Sequence, residues 1–368
     1  MITKHRNFIR NSGQILDYRQ KTFKASNTES ANLLYNVLQS RKLLIIGLFI
    51  LSIFLFGCGS NTKLPKSGLS ELQVEAYRII NDLLGSDNPY IRVNAIEIYT
   101  STKQLNYMPN IQKMLHDRYV PVRFAAAVSI GELQYAPALR DINELLKQDR
   151  DPNVVIAASY AMSRLGYPEY LKVLRESISS NQNQVLKANS ALLLGKSGDR
   201  SSIKLLYKLM EDQSSSDMVT YNAAEALANI GDPGITDTLW AMLLSVYADV
   251  RMIGVKAIGS LNSPESESML LSILSSDPVV EIRLAAAEQL GKMNNKKGKD
   301  VVLEVFKQKL YMTQDAQARE RILTLTALAI GEIGTKDLTK YLPDLMKSES
   351  PIVRLAAAKA VFRSSRFL

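Results

Sequence analysis

The chain has 368 residues, 46% of them apolar, enough for one or two globular domains or one repeat array with a sizeable core. Its formal net charge is +9, but residues 1–57 hold eight Lys/Arg against Asp17 and Glu29, so 8 − 2 = +6 lies there and +3 remains for residues 58–368. That near-balance removes global charge as an argument for a nucleic-acid partner. A single cysteine, Cys58, and two histidines, His5 and His116, exclude intramolecular disulfides, most zinc sites and His-based catalytic pairs beyond residue 57.

In chain order, the first legible element is a secretory signal. Arg41-Lys42 precede an apolar run from Leu43 to Phe56, followed by Gly57-Cys58. The run is shorter than the roughly 20 residues of a membrane-spanning helix, which favours cleavage. Leu55-Phe56-Gly57-Cys58 resembles a bacterial lipobox, with Phe56 where that family usually has a small or aliphatic residue. The resemblance implies cleavage before Cys58, attachment of a diacylglycerol with palmitate-type acyl chains to its sulfur, and a lipoprotein held at a membrane. Gly59 is not the Asp that retains such proteins in the inner membrane, so the resemblance favours the outer membrane. Residues 1–40 make an unusually long charged leader with no Met between Met1 and Met108, and translation is expected to start near Val37 or Leu38. The expected organisation is a leader and signal peptide over 1–57, a polar, flexible tether over 58–68, and a repeat unit over 69–368.

Residues 69–85 read as one amphipathic helix that caps the repeat array. Beyond them the sequence repeats. Aligned on Arg92, Arg123, Arg251, Arg283 and Arg354, equivalent positions fall at 92, 123, 155, 187, 220, 251, 283, 323 and 354. Three residues after this anchor stands a small or modest residue (Ala95, Ala126, Ala158, Ser190, Ala223, Gly254, Ala286, Thr326, Ala357). Seven after it stands a large one, from Tyr99 and Ile130 to Val361. Positions three and seven share one helical face, so a partner helix can approach over the small side chains and pack against the large ones. Position eight is small in eight of nine units, including Gly131, Gly195, Gly259, Gly291 and Gly331. Asn88-Pro89, Asp151-Pro152, Asp277-Pro278 and Ser350-Pro351 mark helix starts. A second apolar-periodic segment, such as 138–146 or 202–210, separates consecutive first helices. Such pairs bury both faces only by stacking on their neighbours. One interval stretches to 40 residues around Asn294–Arg319, where an extra turn or loop is expected. The chain stops at Arg366-Phe367-Leu368 with no second helix to follow, so that flank is expected to be exposed or covered by something else.

The pattern of Asp277-Pro-Val-Val-Glu-Ile-Arg-Leu-Ala-Ala-Ala-Glu-Gln-Leu-Gly291 resembles the short bacterial HEAT-like repeats, also called phycobilisome-lyase-type repeats, over roughly residues 86–366. The resemblance implies an all-α fold, a right-handed α-solenoid of about nine HEAT-like helix pairs. It also implies a structural ladder of anchor Arg and loop Asp, for which Asp117 with Arg123 and Asp277 with Arg283 are the best candidates. Val155, Thr220 and Leu323 interrupt that ladder.

Position five is charged in Glu97, Glu225, Lys256, Glu288 and Lys359, which marks a solvent-facing side. In three consecutive units it becomes Val128, Tyr160 and Leu192, an apolar strip expected to dock a partner. His116 reads as a solvated loop residue. HEAT-repeat metalloenzymes of the deoxyhypusine hydroxylase type use several His-Glu pairs, and this sequence has none. The expectation is a non-catalytic scaffold that is lipid-anchored in the bacterial envelope. It would use no metal, cofactor or nucleic acid, and its partner would be another, unidentified envelope protein. Two alternatives are a lyase-like or enzyme-accessory HEAT-repeat protein, and an assembly subunit of a larger envelope complex.

Overall fold

Helix starts follow the capping pairs. Asn88 and Asp151 each accept a hydrogen bond from the backbone N–H two residues on, at 2.9 and 2.8 Å, with Pro in the first turn. Ser350 does the same three residues on, for Val353. Asp277 behaves differently. Its carboxylate accepts from the Val279 amide, but the helix begins only at Val280, so the Asp shapes the loop before the helix. At the other ends, Gly198 and Gly231 adopt φ of +72° and +76°, the left-handed cap that Gly takes without penalty.

The structure is a computed structural model describing residues 70–180, 183–312 and 314–365. Residues 69–368 form one compact unit. The signal segment, Cys58 and the tether lie outside the described residues, as do residues 366–368. Among the described residues there is no strand, and no helix is long and apolar enough to cross a membrane.

The helices in chain order are α1 (Glu71–Leu84), α2 (Pro89–Ser101), α3 (Met108–Lys113), α4 (Val120–Glu132), α5 (Leu139–Gln148), α6 (Pro152–Arg164) and α7 (Leu171–Ser180). Then come α8 (Gln184–Ser197), α9 (Ile203–Glu211), α10 (Asp217–Ile230), α11 (Thr236–Leu243), α12 (Ala248–Leu261) and α13 (Pro264–Ser276). The last are α14 (Val280–Lys292), α15 (Lys299–Lys307), α16 (Ala316–Ile333), α17 (Lys336–Thr339), α18 (Leu342–Leu345) and α19 (Pro351–Ser364). The nine anchor positions fall one each in the even-numbered helices from α2 to α16 and in α19. These form an inner layer in which each helix packs on the next. The intervening shorter helices form the outer layer and bury one stripe each, as Ile142 and Leu145 do in α5. The fold is an all-α solenoid.

Positions three and seven are buried in every unit, as their residue types predict. Position eight lets neighbouring inner helices touch backbone to backbone. A Cβ on Gly195 would lie 2.5 Å from the Ala226 Cα, and one on Gly331 would lie 2.6 Å from the Ala360 Cα. The long interval is absorbed by the loop after α15 and by an α16 of 18 residues against 13 or 14 in its neighbours.

The solenoid closes on itself. Helix α19 packs against α1 and α2, so of the two expectations for that flank, exposed or covered, it is covered, and by the opposite end of the array. Helix α1 therefore takes the outer-layer place between α19 and α2. The joint is aromatic: the rings of Tyr77 and Phe362 lie 4.5 Å apart, those of Tyr77 and Tyr107 5.1 Å, and those of Tyr99 and Tyr107 4.5 Å. The Tyr99 hydroxyl donates to Asn81 at 2.8 Å, and Tyr77 donates to Gln104, so both phenols are satisfied beneath the packing. Ala76, Ile80 and Leu84 of α1 are buried in the same contact zone.

The Arg ladder exists with different partners from those expected. The guanidinium of Arg92 forks onto Asp117 at 2.8 and 3.0 Å, that of Arg123 onto Asp149 at 2.6 and 3.0 Å, and that of Arg251 onto Asp277 at 2.7 and 3.0 Å. Arg283 reaches Glu304 at 3.2 Å. Thus Asp117 does not pair its carboxylate with Arg123, nor Asp277 with Arg283. For Arg92, Arg123 and Arg251, the anchor side chain spans its own helix pair to the Asp that ends the outer helix, 25 or 26 residues downstream. Its remaining nitrogen donates to carbonyls of the loop before it, as Arg123 does to Asp117 O at 2.9 Å. Asp117 therefore takes one Arg on its side chain and the next on its backbone. Burial alone would raise the Asp149 carboxyl, but the hydrogen bonds from Arg123 and from the Asp151 amide outweigh it and hold the group below the ordinary carboxylate range.

Candidate functional site

Ring closure changes the meaning of position five. It faces the lumen of the ring. Glu97, Val128, Leu192 and Lys359, from α2, α4, α8 and α19, line one cavity of about 660 Å3 that spans the joint between the first and last units. The apolar wall continues through Val93, Phe124 and Leu193, and its mouth carries Tyr90 and Val185, which are 67% and 49% exposed.

Of the expected docking strip, Val128 and Leu192 reach this cavity, but they do not stand on an open solvated face. Val128 is 9% exposed and Leu192 is half-buried. Tyr160 is only 1% exposed and is not available to a partner. The cause is the glycine at position eight of the preceding unit. With no Cβ at Gly131, the Tyr160 ring fills the vacant volume, and an added Cβ there would lie 3.0 Å from it. Burial also pushes the Tyr160 hydroxyl above its ordinary pKa.

The rest of the lumen is charged in both signs. Glu288 is buried at position five and pairs with Lys292 at 2.9 Å. Burial would raise its carboxyl, yet the Lys292 and Lys359 ammonium groups outweigh that and hold it low. At position nine, Glu132 pairs with Lys196, and Arg363 forks onto Glu332 at 2.6 and 2.7 Å. Glu97 is different. Water reaches it, yet the surrounding walls strip enough solvation to raise its carboxyl, against the pull of Lys196 and Lys359. Burial raises Glu225 in the same way, and it lowers Lys359, which Glu288 pulls back up. Among the described residues, neither Glu97 nor Lys359 has an ion-pair or hydrogen-bond partner.

Sequence reasoning missed the wall at positions one and minus two, Val93 and Phe124 with Tyr90 and Val185. The available signal was the run of apolar residues in the first turns of helices whose other faces were already assigned to packing. His116 is exposed at the end of the first outer segment. Among the described residues, no three His, Cys, Asp or Glu side chains are grouped to hold a metal ion.

The HEAT-repeat family model matches residues 107–192 and 178–254, the stretch running from α3 into α12. No curated protein matches the chain by sequence. Among solved structures, the complex of CpcE and CpcF of phycocyanin lyase from Nostoc sp. PCC7120 is similar at 15% identity and a TM-score of 0.36, covering 68% of this chain and 93% of that one. Human deoxyhypusine hydroxylase in complex with glycerol gives 16% identity and 0.31, over 80% and 97%. Escherichia coli YibA gives 18% and 0.33, over 72% and 96%. Residues 107–254 thus carry HEAT repeats within an all-α solenoid.

Proposed function

We propose that the protein is a non-catalytic binding ring, lipid-tethered through Cys58 in the bacterial cell envelope, that receives another envelope protein. The observation that carries this reading is the lumen cavity of about 660 Å3, walled by apolar side chains and rimmed by paired and unpaired charges. Such a surface is suited to holding a ligand, being concave, largely apolar and provided with a few polar groups. The anchor rests on the sequence: Arg41-Lys42, the apolar run to Phe56, and Gly57-Cys58 in lipobox order. Tethering raises the local concentration of the ring at the membrane, so modest affinity for a partner suffices.

The test is crosslinking in living cells followed by purification of the tagged full-length chain, with Cys58→Ser alongside. The reading predicts one or two stoichiometric protein partners that are lost when the anchor is removed. A chain that captures no protein, but co-purifies with a small molecule it turns over, would contradict it.

A further inference from the structure

Resting on that binding reading, we propose that the lumen cavity is a peptide site, taking an extended, largely apolar segment of the partner chain against Phe124 and Leu192 and between Glu97 and Lys359. Four observations favour this occupant. The cavity volume, about 660 Å3, falls in the range of sites that enclose a ligand, roughly 300–1,000 Å3. Its mouth exposes Tyr90 and Val185, apolar surface continuous with the inner wall. A carboxylate and an ammonium, Glu97 and Lys359, face the same space without partners among the described residues. The other charges of the lumen carry both signs, and several are paired, as in Glu132 with Lys196 in the cavity lining and Glu288 with Lys292 beyond it.

These features discriminate among ligand chemistries. A polyanion or a polycation would meet repulsion as well as attraction along a lumen carrying both signs of charge. An acyl chain would satisfy the apolar wall but would cover Glu97 and Lys359 without giving either a hydrogen bond. An unpartnered polar group shut away from water disfavours the bound state. An extended peptide meets both demands. Its alternate side chains fall on one face and can pack on the wall, while every residue offers a backbone N–H for a carboxylate and a C=O for an ammonium. The Asn153 and Asn189 side chains, already joined at 3.0 Å within the cavity lining, offer further donors and acceptors to such a backbone.

The experiment uses the full chain in detergent and a phage-displayed library of short random peptides, with the selected peptides resynthesised and their affinities measured by fluorescence anisotropy. The expected result is enrichment of apolar, low-charge sequences. Leu192→Glu should weaken their binding at least about tenfold, equivalent to about 1.4 kcal/mol. Glu97→Gln should weaken it less, and Lys204→Glu on the outer helix α9 should leave it unchanged. Circular dichroism checks that each variant is folded, and Leu192→Ala replaces Leu192→Glu if the latter is not. Equal affinity of the selected peptides for Leu192→Glu and the parent would overturn the proposal. So would enrichment of polycationic sequences alone, or saturable binding of palmitic acid with no peptide enriched. If peptide binding fails while the chain still captures its partner in cells, the lumen site is wrong and the scaffold reading survives. If cellular capture also fails, both fall.

Discussion

Two kinds of joint hold the ring, and they are built differently. At a regular joint, such as α8 on α10, a position-eight glycine brings backbones together, with the Gly195 Cβ position 2.5 Å from the Ala226 Cα. Where the ladder is present, an anchor Arg also ties its helix pair to the Asp that ends the outer helix. At the closing joint, α19 on α1, both devices are missing. Position eight is Phe362, which packs on Tyr77. Arg354 donates only to the Ser348 and Glu349 carbonyls, because Gly85 ends α1 where other outer helices end in Asp117, Asp149, Asp212 or Asp277. The stacking of the repeats is thus encoded unit by unit. The closure is encoded once, in residues that depart from the repeat.

The largest expected effect of breaking this comparison is at the closing joint. Phe362→Ala should cost about 3–5 kcal/mol in urea unfolding, the usual range for a buried aromatic. Near the midpoint it should also open the ring before the repeats unfold, seen as a second transition in small-angle scattering. A single transition with an unchanged radius would argue that α1 adds no separate constraint.

This division also explains what could be read from sequence. The helix pairs, their inner and outer roles and the small-over-large packing face repeat nine times, so averaging across units reveals them. Closure depends on long-range contact between residues 77 and 362, and no period reports it. The only traces were exceptions: Phe362 in a position otherwise small, and Tyr99 in a position otherwise aliphatic. Position five misled for the same reason. A charged stripe on one helix reads as a solvated exterior, and only the closed ring turns it into a lumen. The ladder's residues were legible but its partners were not, because the carboxylate lies at the far end of the outer helix instead of six residues upstream.

A smaller effect is expected from the regular ladder. Asp149→Asn should destabilise by about 1.5–3 kcal/mol at neutral pH, the range for hydrogen bonds to charged groups. The Asp149 carboxyl is lower in the folded chain than in the unfolded one, so its contribution is fully present above the ordinary carboxylate pKa, about 3.9. That contribution is lost as pH falls through the lower folded value. The stability gap between parent and Asn variant should therefore narrow under acid, and a gap constant from pH 7 to pH 3 would contradict the pairing.

Gly195→Ala should cost about 1–3 kcal/mol, since the added methyl meets backbone rather than a side chain that can turn aside. The same substitution at Gly85, where an added Cβ meets only the Asp82 carbonyl at 3.4 Å, should change stability far less in thermal melts. Gly85→Asp sharpens the contrast further by offering Arg354 the carboxylate its joint lacks. A gain of up to about 1 kcal/mol is expected, modest because such a pair forms at a partly solvated loop.

The central claim is that α1 closes the ring by covering α19, and a distance between the two ends tests it most directly. In a Cys58→Ser background, spin labels placed by Glu75→Cys on α1 and Lys347→Cys just before α19 leave the aromatic joint untouched. The Lys347 charge is already felt at Glu75 across the joint. Closure predicts one short, narrow distance distribution between the labels. An open array would separate its ends by eight inner-helix spacings of roughly 9 Å, on the order of 70 Å, and a distribution centred there would contradict the ring.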